Sequence, residues 1–257
     1  MVIFGSEEYR SNVRRSFESA RKDKGIALLH NVALCPATDA ARSRSVITMN
    51  LQNRVDPWGQ LKSVPMRGSL MGNRGILHNG SRQIVRPWAG KSWVTCALQF
   101  NDIHRTIFAE GSYSELFFLD EATAFAAGHR PCNHCRKSRY AEFKTAWVRG
   151  NRPGAAEGNM LVTEIDKVLH TERAIPGGGK VKFHSLVSTL PSGTMFEYEG
   201  AAFLVWVAAA HRWSFEGYIP SSLQLDHETV NVLTPASIVR MFESGFTPSV
   251  HASVAHA

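Results

Sequence analysis

Four cysteines in 257 residues are too few for a disulfide-stapled scaffold. The chain has no apolar run of 18 residues, so no membrane-spanning helix is expected. No secretory signal is read in it, and a soluble, cytoplasmic protein with reduced thiols is the expectation. Also missing are G-x-x-x-x-G-K-[ST], a G-x-G-x-x-G after a strand, G-x-S-x-G and H-E-x-x-H. Nucleotide hydrolysis, dinucleotide chemistry, and the commonest hydrolase and zinc-protease schemes therefore lack support, and no nucleotide cofactor is expected. There is no internal repeat and no low-complexity tract.

What is present is ordinary in amount and uneven in placement. A content of 44% apolar and 20% charged residues suits a globular protein of this length. Lys and Arg number 29 against 22 Asp and Glu, a formal charge of +7. Residues 67–152 alone hold 13 basic and 6 acidic residues, a balance equal to the whole of that charge. Residues 1–66 add +4 and residues 153–257 remove 4. A segregated basic region with interleaved aromatics is what a phosphate-backbone partner needs.

The pattern of elements predicts an α+β protein in three parts. Residues 1–66 read as a helix, capped by Ser6 and running to about Lys22, followed by an irregular extension with one short strand near Val46 to Met49. Residues 67–152 read as a basic module. Strands are expected at Gly75 to His78, Gln83 to Arg86, Trp93 to Phe100, Arg105 to Ala109 and Leu116 to Leu119. A short helix from Asp120 to Ala127 follows, and then a helix from about Arg136 to Val148 with Tyr140, Phe143 and Trp147 on one side. A joint at Asn151 to Gly154 opens a C-terminal α+β part, 153–257. It holds a helix over Ala156 to Ala174, strands at Val181 to Phe183, Met195 to Tyr198, Ala202 to Val207 and Thr229 to Leu233, and a last helix opened by Thr234-Pro235. Residues 249–257 are expected to fray.

The most informative run is Gly128-His-Arg-Pro-Cys-Asn-His-Cys135. Two cysteines at this spacing, Cys132 and Cys135, put both sulfurs on one tight turn, where a single tetrahedral metal can take both. Pro131 fixes the backbone before the first thiol, and Arg136 and Lys137 favour its ionised form. The competing reading is a redox pair, but a thioredoxin-like site needs a strand directly before the cysteines and a helix opening on them. Here a helix precedes them. Metal, with zinc as the expected ion, is the stronger reading.

The stretch from Gly72 to Cys135 resembles the Ada-type metal-binding module, a small zinc fold of bacterial DNA alkylation-repair proteins. The run Asp120-Glu-Ala-Thr-Ala-Phe-Ala-Ala-Gly-His-Arg-Pro-Cys-Asn-His-Cys is similar to the second half of that module, which supplies two ligands. Gly72-Asn73-Arg74 and His78 are similar to its opening. The resemblance implies a ligand set of His78, Cys96, Cys132 and Cys135. The relatives' first ligand pair, a Cys or His and a further Cys, lies only a few residues apart, whereas an expected hairpin separates His78 from Cys96. His78 stands where that pair begins and where the alkylation-repair protein has its methyl-accepting cysteine, so a metal site is implied rather than methyl transfer. His104, His129, His134 and Cys35 remain competing ligands.

Two function classes follow. One is a binding module in which a closed structural zinc holds a basic surface against nucleic acid, DNA before RNA. Its phosphate contacts are Arg67, Arg74, Arg130, Arg136, Lys137, Arg139 and Lys144. The other is a nuclease or hydrolase, using an open metal or residues of 153–257. His170, Glu172 and Arg173 offer acid, base and phosphate-binding types there, although a histidine and an arginine near a helix end also simply suit the dipole.

Overall fold

A computed structural model describes residues 50–101, 106–154 and 160–256. The expected helix from Ser6 to Lys22 and the strand at Val46 to Met49 lie outside them. Helices and strands are mixed, and the strands form two six-stranded sheets. Among the described residues no helix is long and apolar enough to cross a membrane.

The first sheet is made of short pieces: β1 (Arg54–Val55), β2 (Leu61–Lys62), β3 (Leu70–Asn73), β4 (Val94–Cys96) and β5 (Leu116–Phe118). After the helix α1 (Glu121–Ala126), β6 (Arg130–Pro131) completes it. The order is β2-β1-β5-β3-β4-β6, with β1 parallel to β5 and β4 parallel to β6. Gly72 makes the centre possible, because a Cβ there would lie 2.3 Å from the Phe118 ring.

Helix α1 is set at both ends by local chemistry. Asp120 caps it, Oδ1 accepting from the Thr123 N–H at 2.8 Å and the Thr123 hydroxyl at 2.7 Å. At the other end Gly128 takes φ of 83° and the His129 N–H donates to the Ala124 carbonyl at 2.9 Å, a left-handed glycine closure. All six of its residues are buried.

Helices α2 (Lys137–Asn151) and α3 (Val162–Arg173) come next. The second sheet follows: β7 (Phe183–Leu186), β8 (Met195–Tyr198), β9 (Ala201–Trp206), β10 (Ala209–Ser214), β11 (Gly217–Pro220) and β12 (Thr229–Val232). Its order is β11-β10-β9-β8-β12-β7 and every pairing is antiparallel. Helix α4 (Ala236–Glu243) closes the chain of regular elements.

Three cores meet at α1. Phe125 packs with Phe143, Trp147, Ile165, Leu169, Ile238 and Met241 of the other helices. Ala122 and Ala126 pack with Met195, Leu204, Tyr218 and Leu233 of the second-sheet region. Ala124 packs with Val55, Leu61, Leu116 and Phe118 of the first sheet. Residues on both sides of the expected joint at Asn151 to Gly154 thus share one core, and Ile47–Ala257 is one compact unit.

Several expected elements are shorter or different. The expected strands at Gly75 to His78 and Gln83 to Arg86 reduce to a single bridge, His78 to Ile84. Residues 106–109 form no strand, and Phe108 takes φ of 57°. Strands β10 and β11 carry little alternation and escape a period-two reading. The tail does not fray: Val254 is buried, and the His251 N–H donates to Asp120 Oδ2 at 2.9 Å. Tyr218 donates its hydroxyl to the same oxygen at 2.7 Å.

Glu121 is the buried counter-charge of the basic helix α2. Its Oε1 lies 2.7 Å from Arg136 Nη2, its Oε2 2.6 Å from Arg139 Nη2, and the Ser249 N–H donates to it at 3.0 Å. Burial pushes its carboxyl up, but Arg139, the Ser249 N–H and Arg136 outweigh that and hold it below the usual value. A carboxyl with a lowered folded pKa stabilises the fold above its unfolded pKa and loses that contribution as pH falls. Glu121→Gln is therefore expected to cost about 3 kcal/mol at neutral pH. In urea unfolding, its gap from wild type should shrink below about pH 4.

The β9–β10 hairpin turns on Val207 and Ala208, both left-handed at φ of 48° and 59°, a conformation that suits Asn-Gly. Val207 is 77% exposed, so nothing in a core is lost by replacing it. Val207→Asn with Ala208→Gly should raise unfolding stability by about 1–2 kcal/mol. An unchanged or lower thermal midpoint would contradict that backbone assignment.

Candidate metal centre

The parallel pairing of β4 with β6 builds the site. Its register sets Val94 against Arg130 and Thr95 against Pro131, so Cys96 and Cys132 are the next residues on adjacent strands. The Cys132 N–H donates to the Thr95 carbonyl at 2.9 Å, and the Arg136 N–H closes the following turn onto the Cys132 carbonyl at 3.1 Å. That turn brings Cys135 back, and α2 leaves directly after it. The sulfurs of Cys96, Cys132 and Cys135 lie within 4.8 Å of one another. A tetrahedral ion with metal–sulfur bonds of about 2.3 Å needs sulfurs about 3.8 Å apart, so three thiolates here suit one ion.

The three thiols are free and half-buried. Cys132 ionises most readily, well below the ordinary thiol value, because the Cys96 thiol and the backbone N–H groups of Cys135 and His134 donate to it. Cys96 is pushed in the opposite direction by that same bond to Cys132, by burial and by the neighbouring sulfur charge. The His134 N–H points at the Cys132 sulfur from 3.4 Å.

Among the described residues no fourth His, Cys, Asp or Glu joins this group. His78 stands apart, which corrects the expected ligand set. Its Nδ1 is 2.6 Å from the Ser114 hydroxyl, its Nε2 3.3 Å from the Ala109 carbonyl, and its ring stacks on Phe108 at 4.6 Å. Both nitrogens are occupied in forming a loop. His129 is fully buried, accepts from Arg74 Nε at 3.1 Å and is kept neutral by burial and by Arg74 and Arg173. His134 is exposed, its ring 4.9 Å from Phe100. His104 and Cys35 lie outside the described residues.

Beside the sulfurs opens a cavity of about 450 Å³. Met71, Leu98, Phe100, Ile107 and Phe117 make it largely apolar, and Tyr113, Glu115 and His134 are its titratable side chains besides the cysteines. The fourth coordination position of an ion held by these cysteines is left without a protein donor among the described residues.

The expected phosphate-contacting arginines are mostly spent inside the fold. Arg130 is buried and forks onto Asp166 at 2.7 and 2.8 Å. Arg74 is buried, donating to His129 and to the Gly59 carbonyl. Arg136 and Arg139 hold Glu121. Arg130, Arg136 and Arg139 are corrected from surface contacts to structural ones, their carboxylate partners coming from α3 and α1, which a count of charge along the chain does not reveal. Arg74 is corrected likewise, being buried on neutral acceptors. Lys137 and Arg67 are exposed and Lys144 is half-buried. Exposed basic residues of this region outside the expected set are Arg82, Arg86, Lys91, Arg149 and Arg152. The trio His170, Glu172, Arg173 is not assembled for catalysis: Glu172 accepts from the Ser237 N–H and hydroxyl, and Arg173 is buried against the Gly128 carbonyl.

No family model, no curated protein and no solved structure matches this chain. The three converging cysteines are close enough to bind a metal, and no match supports an Ada-type module.

Protein purified without a histidine tag is expected to carry about one metal ion per chain. Cys96→Ser and Cys132→Ser should each lose most of it, and His78→Gln should keep it. Elemental analysis checks this, and metal lost in His78→Gln but retained in Cys96→Ser would reverse the assignment.

Proposed function

We propose that this is a zinc-binding protein in which Cys96, Cys132 and Cys135 hold one zinc ion, and that its basic surface binds nucleic acid, DNA in preference to RNA. The observation that carries the metal reading is the convergence of three free sulfurs from two strands and a turn. Bound there, zinc would keep all three thiols ionised and offer a fourth coordination position. Holding β4, β6 and the start of α2 on one ion makes metal affinity part of folding free energy, a structural role. The Ada-type resemblance supports the choice of zinc and of DNA.

Support for a nucleic-acid partner is electrostatic. Residues 67–152 carry the excess charge. With Arg74, Arg130, Arg136 and Arg139 engaged internally, the available cations among the described residues are Arg67, Arg82, Arg86, Lys91, Lys137, Lys144, Arg149 and Arg152. Such contacts position a phosphate backbone without reading bases. Binding should weaken by about 0.9 log unit per log unit of salt for each duplex phosphate contact.

A second reading follows from the cavity at the sulfurs. A metal with three protein ligands beside a space of about 450 Å³ is arranged as an open site, and Glu115 and His134 line the same space. That arrangement fits a hydrolase in which water or substrate completes the metal.

Salt titration with labelled duplex and single-stranded oligonucleotides separates the two. Reversal of Arg82, Arg86 and Lys91 to Glu should weaken binding at least about tenfold at low salt without changing metal content. Absence of binding at about 50 mM salt, or equal binding by the triple variant, would move the assignment to the open-site enzyme.

A further inference from the structure

Away from the cysteines, a second cavity of about 660 Å³ is bounded by the β1–β2 turn, the segment Ile84 to Trp88 and the segment Gly179 to Lys182. Its ionisable lining is entirely cationic: Arg74, Arg86, Arg173, Lys180 and Lys182. Trp58, Trp88 and Trp93 supply most of its aromatic surface.

The inner end of this cavity holds positive charge without matching negative charge. Arg74 directly follows β3 and Arg173 ends α3, yet both guanidinium carbons lie 4.2 Å from the centroid of the Trp93 ring. Arg74 and Arg173 are 2% and 1% exposed. Among the described residues neither forms an ion pair at 4.0 Å or less, and nor does Lys180. Their hydrogen bonds go to neutral acceptors: the Gly59 carbonyl and His129 for Arg74, the Gly128 and Lys91 carbonyls for Arg173, the Ala126 carbonyl for Lys180. Arg74 Nη2 and Arg173 Nε are buried with no partner. Arg130, the other buried arginine among the described residues, is paired with Asp166.

The carboxylates near enough to act on these cations are each committed to another partner. Asp166, which acts on Arg173, is forked by Arg130 at 2.7 and 2.8 Å. Glu172, which acts on Lys180, accepts from Ser237 and lies 3.5 Å from Arg240. Asp56 accepts from the Gln60 N–H at 2.8 Å and sits 3.9 Å from Lys62. Glu197 is held by Lys182 at 2.6 Å and by the Trp58 indole N–H at 2.5 Å. Burial, and then repulsion of its ammonium by the charges of Arg173 and Arg74, push Lys180 well below the ordinary lysine value. Buried charge left unpaired is costly, and such a group persists where a ligand supplies the missing charge.

We propose that this cavity binds a nucleotide unit, its phosphate taken by Arg74 Nη2, Arg173 and Lys180 and its base laid against the half-buried indole of Trp88. Multiple cations select a multiply charged phosphate, and flat indole surfaces accept any base face. The volume is that of a small-molecule site and far exceeds what inorganic phosphate needs. The cradle is made of side chains from distant segments, so it carries none of the glycine-rich motifs that mark backbone phosphate sites. The inference shares only Arg86 with the exposed basic surface; it is argued from the buried cations and stands whether or not that surface binds nucleic acid. A free nucleotide and the phosphorylated end of a single strand share this chemistry.

The test is calorimetry on the full-length, metal-loaded protein with adenosine 5′-monophosphate, adenosine, inorganic phosphate, and one short single-stranded oligonucleotide with and without a 5′-phosphate. The adenylate should bind with Kd of about 1 mM or tighter, and adenosine and phosphate each at least about tenfold more weakly. A preference for the 5′-phosphorylated oligonucleotide over its hydroxyl twin identifies a chain end as the source; equal oligonucleotide binding with tight adenylate identifies the free nucleotide. Arg74→Met should abolish adenylate binding. Because that change is buried, Arg86→Ala and Trp88→Ala, on accessible side chains, are measured beside it and should each weaken binding by about tenfold. No adenylate binding, phosphate binding as tightly as adenylate, or full affinity in the Arg86→Ala/Trp88→Ala double variant would each overturn the proposal.

Discussion

Helix α1 has no free face, and the rest of the structure is arranged around that fact. Its six residues send Phe125 into the helical core, Ala122 and Ala126 toward the second sheet and Ala124 toward the first. Small side chains suit two of those sides, where Ala122 and Ala126 face one core and Ala124 another, and a larger residue there would overpack the core it faces. The two acids at its start work inward as well. Asp120 caps the helix while binding Tyr218 and the His251 N–H; Glu121 neutralises Arg136 and Arg139.

The cysteine group inherits its geometry from that helix. Gly128 ends α1 in the left-handed conformation and passes so close to Arg173 that a Cβ would lie 2.4 Å from its Cδ. The chain then enters β6 beside β4, and the register of that pair delivers Cys132 next to Cys96. Glu121 anchors Arg136, the residue that opens α2, so the turn between Cys132 and Cys135 is held from both ends. The sulfurs are thus pre-placed by hydrogen bonds and ion pairs that do not themselves involve a metal, which lowers the ordering cost of binding one.

Much of this was legible locally. The capped helix, its glycine end and the paired cysteines are contiguous in sequence, and each has a signature that depends on near neighbours. The Phe143 and Trp147 stripe of α2 reads as core and is core, while Tyr140 of the same stripe stays half-buried, its ring 5.8 Å from the Arg130 guanidinium. What was illegible depends on long-range partners. His78 looks like a ligand until Ser114, 36 positions away, occupies its Nδ1. Arg130 looks like a phosphate contact until Asp166, also 36 positions away, takes its fork. Trp93, Arg74 and Arg173 share no local pattern, and only tertiary packing makes a cavity of them. Charge counted along a chain measures supply; availability is decided by where the opposite charges fold.

The central claim is that this protein holds one zinc ion with three of its own sulfurs, the fourth position being left to another donor. X-ray absorption at the zinc edge on the purified, full-length protein measures that coordination sphere directly. The account predicts three sulfur scatterers at about 2.3 Å and one lighter nitrogen or oxygen scatterer at about 2.0 Å. A sphere of four sulfurs, or one with two or more imidazole nitrogens in place of cysteine, would contradict it.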